Sequence, residues 1–87
     1  MKKLYKFWAA WCGPCRIMKP VVEKVVSERS DVELFEVDVD TEDGACMVDE
    51  YSVSSVPTFI LEDEAGERKT KIGACTEQAL IDFIDGK

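Results

Sequence analysis

The sequence predicts an α/β fold built on a four-stranded mixed sheet and three helices, in the order β-α-β-α-β-β-α. Segments 2–9 and 32–39 have strand character and are separated by one helical segment, so the crossover makes these two strands parallel. Segments 58–62 and 68–72 flank a short polar loop and form an antiparallel pair. A chain of 87 residues can build one modest core, so we expect a single domain, 1–87.

The spacing of apolar residues identifies the first elements. Residues 2–9 are aromatic and apolar without helical spacing, which is typical of a buried strand, and Trp8 is assigned to the core. From Pro14 onward the apolar residues follow one helical face, and the β-branched valines there need packing against a sheet to stay helical. This helical stripe consists of Ile17, Met18, Val21, Val22, Val25 and Val26.

The later elements follow from alternation and capping residues. Residues 32–39 alternate as a strand, and 41–51 form a short helix with acidic residues in its first turn. The loop between the last two strands contains Gly66, which can take the positive φ that a short hairpin needs. Thr76 caps a closing helix, whose inner face carries Ala79, Leu80, Phe83 and Ile84.

Composition excludes several classes of function. The formal charge is −7, with a net +5 in residues 1–30 and −12 in residues 31–87, so nucleic acid is an improbable partner. The chain has no His, which removes most general-base dyads and nearly all zinc sites except an all-cysteine one. The longest apolar run, residues 7–12, is too short to cross a bilayer or serve as a secretory signal. We therefore expect a cytoplasmic protein with reduced thiols, apart from any catalytic ones.

The motif Trp11-Cys12-Gly13-Pro14-Cys15 carries the chemistry. It lies where the first strand ends and the first helix begins, so Cys12 occupies the N-cap region and Cys15 follows one turn later. At this spacing the two residues lie close enough for a disulfide to open and close with little backbone movement. Unpaired amides and the helix dipole favour a thiolate on Cys12.

Two other interpretations of the motif are a zinc half-site and a pair of unreactive cysteines. Zinc would need two more ligands, but Cys46 and Cys75 are single and lie on different elements. The position of the motif between a strand and a helix favours dithiol redox chemistry.

The chain resembles the thioredoxin family. The resemblance rests on residues 7–15, on Pro20 five residues later, on Val56-Pro57-Thr58 and on Gly73. It implies the thioredoxin fold, a cis peptide bond between Val56 and Pro57, and reduction of protein disulfides.

The resemblance also implies a shallow apolar groove around Cys12. A cis proline beside the dithiol leaves the backbone of Val56 free to pair with an extended segment of substrate. The implied groove residues are Trp11, Gly13, Pro14, Val56, Pro57, Gly73 and Ala74.

The sequence departs from the family pattern at two places. It begins close to the central strand, so we expect it to lack the family's usual N-terminal strand and helix. Where typical members carry a buried Asp beneath the second cysteine this chain has Lys6, and it has Glu36 where they carry a Lys. We expect Lys6 and Glu36 to pair on one face of adjacent strands, with Glu36 as proton acceptor for Cys15; the alternative is two unrelated surface residues.

The predicted function is thiol–disulfide exchange that reduces protein disulfides. Cys12 attacks the substrate disulfide and Cys15 resolves the mixed disulfide, without a bound cofactor. The expected partners are disulfide-containing proteins and a thioredoxin reductase or glutaredoxin-like electron donor, with the chain acting as a monomer. Two alternatives stay open: an oxidase or isomerase, and a peptide-binding module whose thiols are incidental.

The four cysteines are expected to play unequal parts. Cys12 should be the more accessible member of the dithiol, because it caps the helix while Cys15 lies under the first turn. Cys46 on the second helix and Cys75 near the rim of the groove are expected to be spare thiols that are not bonded to each other.

Overall fold

The computed structural model describes residues 1–87, and its elements follow the predicted order. The strands are β1 (Lys2–Trp8), β2 (Val32–Asp38), β3 (Thr58–Glu62) and β4 (Arg68–Ile72). The helices are α1 (Gly13–Ser27), α2 (Glu42–Tyr51) and α3 (Glu77–Asp85). The predicted α/β class with a four-stranded mixed sheet is confirmed, because β1 and β2 are parallel while β3 runs antiparallel to β1 and to β4.

The sheet has the strand order β2-β1-β3-β4, so β1 is a central strand. In the parallel ladder Lys6 lies opposite Glu36, and Trp8 lies opposite Asp38. The antiparallel ladder places Phe59 beside Lys6 on the other side. The carboxyl ends of β1 and β2 therefore meet at the edge of the sheet where α1 begins.

The larger core fills the space between one face of the sheet and helices α1 and α3. Its buried members are Leu4, Met18, Val22, Val25, Val32, Phe59, Leu61, Leu80 and Ile84. A smaller cluster of Phe7, Val37 and Ile60 lies on the other face and packs against α2 residues Met47, Val48 and Tyr51. Helix α1 is thus held by its apolar face, as the valine-rich stripe predicts.

The prediction is wrong for one member of the apolar stripe on α1. Ile17 is 68% exposed, whereas Met18, Val22 and Val25 of the same helix are buried. The stripe contains two adjacent residues per turn, which is wider than the face of α1 that reaches the sheet. Ile17 therefore falls on the solvent side, close to the start of the helix.

Capping residues fix the helix ends. The Thr41 hydroxyl accepts a hydrogen bond from the Gly44 amide at 3.0 Å, and the Thr76 hydroxyl accepts one from Ala79 at 3.1 Å, which confirms the predicted cap at Thr76. Gly66 in the β3–β4 loop has a φ of +86°, also as predicted. None of the three helices is long and apolar enough to span a membrane.

Gly44 joins the first turn of α2 to the end of β2, and we predict that Gly44→Ala destabilises the protein. A Cβ at this position would overlap the carbonyl oxygen of Asp38, which belongs to the backbone and cannot move away without disturbing the strand. We expect a loss of about 3 kcal/mol in the free energy of unfolding, the upper end of the usual range for overpacking. Urea denaturation measures this loss in the free energy of unfolding.

The control is Ala45→Gly, at the next and exposed position of the helix. It should lower stability by only about 1 kcal/mol, the helix-propensity difference. A Gly44→Ala protein as stable as the parent would contradict the close approach of α2 to Asp38.

Candidate functional site

The dithiol lies at the junction of β1 and α1, as predicted. Cys12 is the N-cap of α1, and its Sγ accepts a hydrogen bond from the Cys15 amide at 3.2 Å. Cys12 and Cys15 form a disulfide with their Cα atoms 5.3 Å apart. The structure therefore describes the oxidised state of the dithiol, in which the Cys12 sulfur accepts a hydrogen bond from an amide of the first turn of α1.

Both sulfur-bearing residues are more enclosed than expected. Cys12 is 4% exposed and Cys15 is 2% exposed. Cys12 is thus the more accessible of the two, as predicted, but the difference is small. Ala9 packs against both cysteines, and Trp8, Val39 and Val56 surround this cluster. Cys12 is not the openly accessible residue that its capping position suggested, because neighbouring loops close over it.

The Val56–Pro57 bond is cis, as the resemblance implies, and it adjoins the dithiol through Val56. The Pro57 carbonyl accepts a hydrogen bond from the Gly73 amide at 2.8 Å, and Gly73 has a φ of +91°. The backbone amide and carbonyl of Val56 make no hydrogen bond within the chain. One polar edge beside the dithiol is thus free to pair with another segment.

The residues assigned to the groove lie around this edge. Trp11 is 69% exposed, and its indole Nε1 donates to Asp40 Oδ2 at 3.0 Å. Gly13, Pro14 and Ala74 are exposed, Val56 and Gly73 are half-buried, and Pro57 is buried. Exposed Trp11 and Ala74 add apolar surface that is open to solvent.

Sequence reasoning missed two groups of residues at this surface. Asp40 was not singled out, although it follows β2 at the end of the sheet where Cys12 follows β1, and parallel strands bring such residues together. Ile72 is 65% exposed at the end of β4, next to Gly73 of the groove, and Ile17 is 68% exposed on α1. No periodic pattern distinguishes them from core residues.

Lys6 and Glu36 pair as predicted. Lys6 Nζ lies 3.6 Å from Glu36 Oε1, and the Lys6 side chain is only 3% exposed while that of Glu36 is 37% exposed. The alternative of two unrelated surface residues is excluded by this geometry. Burial lowers the pKa of Lys6 below its usual value, and the Glu36 carboxylate opposes that shift without cancelling it.

Lys6 and Glu36 also share a cleft with the second cysteine. Cys15, Lys6 and Glu36 all line a cleft of about 300 Å³ beneath the start of α1. Trp8 lines it as well; this residue is half-buried rather than fully in the core, and its Nε1 is buried without a hydrogen-bond partner. The ion pair and Cys15 therefore share a cleft that none of the assigned groove residues lines.

The two remaining cysteines are free thiols, as predicted. Cys46 is exposed on α2. Cys75 is half-buried and packs against the larger core, with its amide donating to Met18 Sδ at 3.4 Å. It is thus directed towards α1 rather than to the rim of the groove, and burial raises the pKa of its thiol.

Comparison with known proteins gives one consistent result. The thioredoxin family model matches residues 1–86. A thioredoxin of Chlamydia trachomatis is 37% identical over 81 residues, covering 93% of this chain and 78% of that protein. A thioredoxin of Mycoplasma genitalium is 35% identical, with 91% and 76% covered.

The chain belongs to the thioredoxin family.

Solved structures agree with this assignment. Mitochondrial thioredoxin 3 from Saccharomyces cerevisiae, in its oxidised form, superposes with a TM-score of 0.86 at 33% identity, covering 99% of this chain and 78% of that one. A mutant thioredoxin from Halobacterium salinarum gives 0.85 at 36% identity, covering 98% and 73%. This thioredoxin-family chain is a thiol–disulfide oxidoreductase with a redox-active disulfide, and it reduces disulfides. Thioredoxins in general act on disulfide substrates and are served by reductase partners.

The buried Lys6 yields a prediction about stability. We predict that Lys6→Met raises the free energy of unfolding by about 1 kcal/mol at neutral pH, because an apolar side chain avoids desolvating a charge and the partly exposed Glu36 stays hydrated. Since the pKa of Lys6 is lower in the folded state, the unfolded chain binds more protons between that pKa and 10.5. The parent protein gains stability as pH rises through this window, so the advantage of Lys6→Met shrinks there.

Urea denaturation between about pH 7 and pH 10.5 measures the difference. Lys3→Met is the matched control, because it makes the same substitution at an exposed position of the same strand. A Lys6→Met protein that is less stable at every pH would show that the ion pair outweighs the cost of burial.

Proposed function

We propose that Cys12 is the attacking thiol and Cys15 the resolving thiol of a protein-disulfide reductase. The Cys12 thiolate attacks one sulfur of the substrate disulfide, forming a mixed disulfide and releasing the first substrate thiol. Cys15 loses its proton and attacks Cys12 Sγ, which releases the second substrate thiol and closes the Cys12–Cys15 disulfide. Two electrons pass from the dithiol to the substrate.

The observation that carries this assignment is the capping geometry of Cys12. Its sulfur accepts the Cys15 amide at 3.2 Å at the positive end of α1, an arrangement that stabilises a thiolate there. Cys15 lies inside the first turn and faces the cleft of Lys6 and Glu36. The two sulfurs are therefore in different electrostatic surroundings, suited to different steps.

The proposed substrate-binding groove is formed by Trp11, Gly13, Pro14, Val56, Pro57, Gly73 and Ala74. The unpaired amide and carbonyl of Val56 support a short strand addition, in which an extended substrate segment supplies the missing hydrogen bonds. Exposed Trp11 contributes apolar contact on the opposite side. Such backbone pairing selects an extended conformation more than a particular side chain.

Glu36 is proposed as the proton acceptor for Cys15, through water. It is the one carboxylate lining the cleft that also contains Cys15, and its partial exposure lets the proton pass on to solvent. Lys6 favours the Cys15 thiolate through its positive charge and holds Glu36 in place at 3.6 Å.

We also propose the setting in which the protein acts. The protein is proposed to act as a monomer, with the dithiol of α1 and the groove residues beside it forming one complete site. The free thiols of Cys46 and Cys75 suit the reducing conditions of the cytoplasm. A thioredoxin reductase, or a glutaredoxin-like donor, returns two electrons to the Cys12–Cys15 disulfide.

Single-cysteine variants test the roles of the two thiols. Cys15→Ser should accumulate a mixed disulfide with insulin through Cys12, because attack still occurs and resolution does not. Cys12→Ser should form no such adduct and should lose turnover in a dithiothreitol-coupled insulin assay. Mass spectrometry of the trapped species gives the site. An adduct formed at Cys15 in the Cys12→Ser protein as fast as the one expected in Cys15→Ser would reverse the roles. Cys46→Ser serves as the control that leaves turnover unchanged.

The role of Glu36 predicts a changed pH–rate profile. In Glu36→Gln, resolution of the mixed disulfide should slow by about tenfold or more near pH 7, and recover as pH rises because Cys15 then ionises to solvent. Glu33→Gln is the control, since Glu33 lies on the opposite face of the same strand. Stopped-flow measurement of the resolution step gives the profile. An unchanged Glu36→Gln profile would leave the ion pair a purely structural role.

A further inference from the structure

The cleft beneath Cys15 has the size and the lining of a small-molecule site. It has a volume of about 300 Å³, the lower end of the range for ligand pockets. Apolar side chains form one part of its wall and charged side chains the other. Its lining residues are Lys6, Trp8, Ala9, Ala10, Cys15, Arg16, Lys19 and Glu36.

The charge of this cleft is opposite to that of the protein. Three cations, Lys6, Arg16 and Lys19, line it against the single carboxylate of Glu36. Glu23 also acts on Lys6 from helix α1, which still leaves an excess of positive charge. The chain as a whole carries −7, so this local excess selects for an anion where the rest of the surface repels one.

Lys6 supplies hydrogen-bond donors at the bottom of the cleft. Its side chain is only 3% exposed, and the nearest carboxylate oxygen, Glu36 Oε1, is 3.6 Å from Nζ, beyond good hydrogen-bond distance. An ammonium group carries three donors, and because Lys6 lines the cleft, donors that Glu36 does not use are open to a ligand there. A carboxylate placed against Lys6 would use these donors and neutralise part of the positive charge.

We propose that this cleft binds a small organic carboxylate with an apolar body. The carboxylate lies between Lys6 and Lys19, and the apolar body packs on the Trp8 indole and on Ala9 and Ala10. Arg16 contributes long-range attraction, because its Nη2 already donates to the Ala10 carbonyl at 2.7 Å. A neutral compound of the same shape lacks the charge interaction, and a bare inorganic anion lacks the apolar contact.

Occupancy has a consequence for the dithiol that rests on the proposed function. A carboxylate bound to Lys6 displaces the water through which Glu36 takes the Cys15 proton, and it adds negative charge beside the Cys15 sulfur. Both effects disfavour the Cys15 thiolate. The bound carboxylate therefore slows resolution of the mixed disulfide and binds the oxidised form more tightly than the form with a Cys15 thiolate.

The binding test uses benzoate as probe and benzamide as its neutral isostere, with oxidised ¹⁵N-labelled protein. The chain has two tryptophans, so the indole N–H region of the spectrum holds an internal comparison. Benzoate should shift the Trp8 indole signal saturably, with a dissociation constant in the millimolar range expected for so small a ligand, and leave Trp11 unchanged. Benzamide and sulfate should each bind at least about fivefold more weakly, which corresponds to about 1 kcal/mol.

Charge-removing variants locate the site. Lys6→Met and Lys19→Gln should each weaken benzoate binding by about fivefold or more, and high salt should weaken it further. Lys24→Gln is the matched control, because it removes the same charge from an exposed position on the same helix and does not line the cleft. It should leave the dissociation constant within about twofold.

Besides a failure of benzoate to bind, two results overturn the proposal. One is an equal Trp8 shift with benzamide or with sulfate; the other is benzoate affinity that responds to Lys24→Gln as much as to Lys19→Gln. Neither depends on turnover, since the titration is made on the closed disulfide. Failure of benzoate binding with normal insulin reduction would reject the site alone, whereas loss of the Cys15→Ser adduct would reject the proposed thiol roles alone.

Discussion

The parallel pairing of β1 with β2 is the constraint on which the rest of this structure depends. Parallel strands need a crossover, and α1 supplies it, so the helix must begin at the carboxyl end of β1. That position makes Cys12 the N-cap and points the helix amides at its sulfur. The same pairing sets Lys6 opposite Glu36 in the parallel ladder. Both side chains lie on the face of the sheet beneath the start of α1. Dithiol, ion pair and cleft are thus consequences of one strand register.

The Lys6–Glu36 ion pair is less favourable for folding stability than apolar residues would be at the same positions. A buried lysine is expensive to desolvate, and its loose 3.6 Å contact with a partly exposed carboxylate recovers only part of that energy. The apolar clusters on the two faces of the sheet supply stability that offsets this cost. In the proposed mechanism, the positive charge of Lys6 in the cleft that Cys15 also lines favours the Cys15 thiolate.

The two sides of the dithiol differ in chemistry. The groove side is apolar and exposed, with Trp11 and Ile72 open to solvent and the backbone of Val56 unpaired. The side beneath Cys15 is an open cleft with an excess of positive charge. Between residues 30 and 67 the chain has no basic residue, so acidic groups such as Asp40 border the groove. The proposed groove and the proposed carboxylate site therefore differ in the ligand chemistry that they suit.

The sequence by itself determined the element order, the position of the dithiol and the Thr76 cap, because these depend on local spacing and on residues with strong conformational preferences. The Lys6–Glu36 pair and the cis bond at Pro57 could also be anticipated, the first from strand register and the second from resemblance. Tertiary structure alone decided the exposure of Ile17, the enclosure of Cys12, the inward direction of Cys75 and the contact of Asp40 with Trp11. These depend on how far α1 extends past the sheet and on how loops distant in sequence pack together. Periodicity shows which face of an element is apolar, but it does not show where its neighbours end.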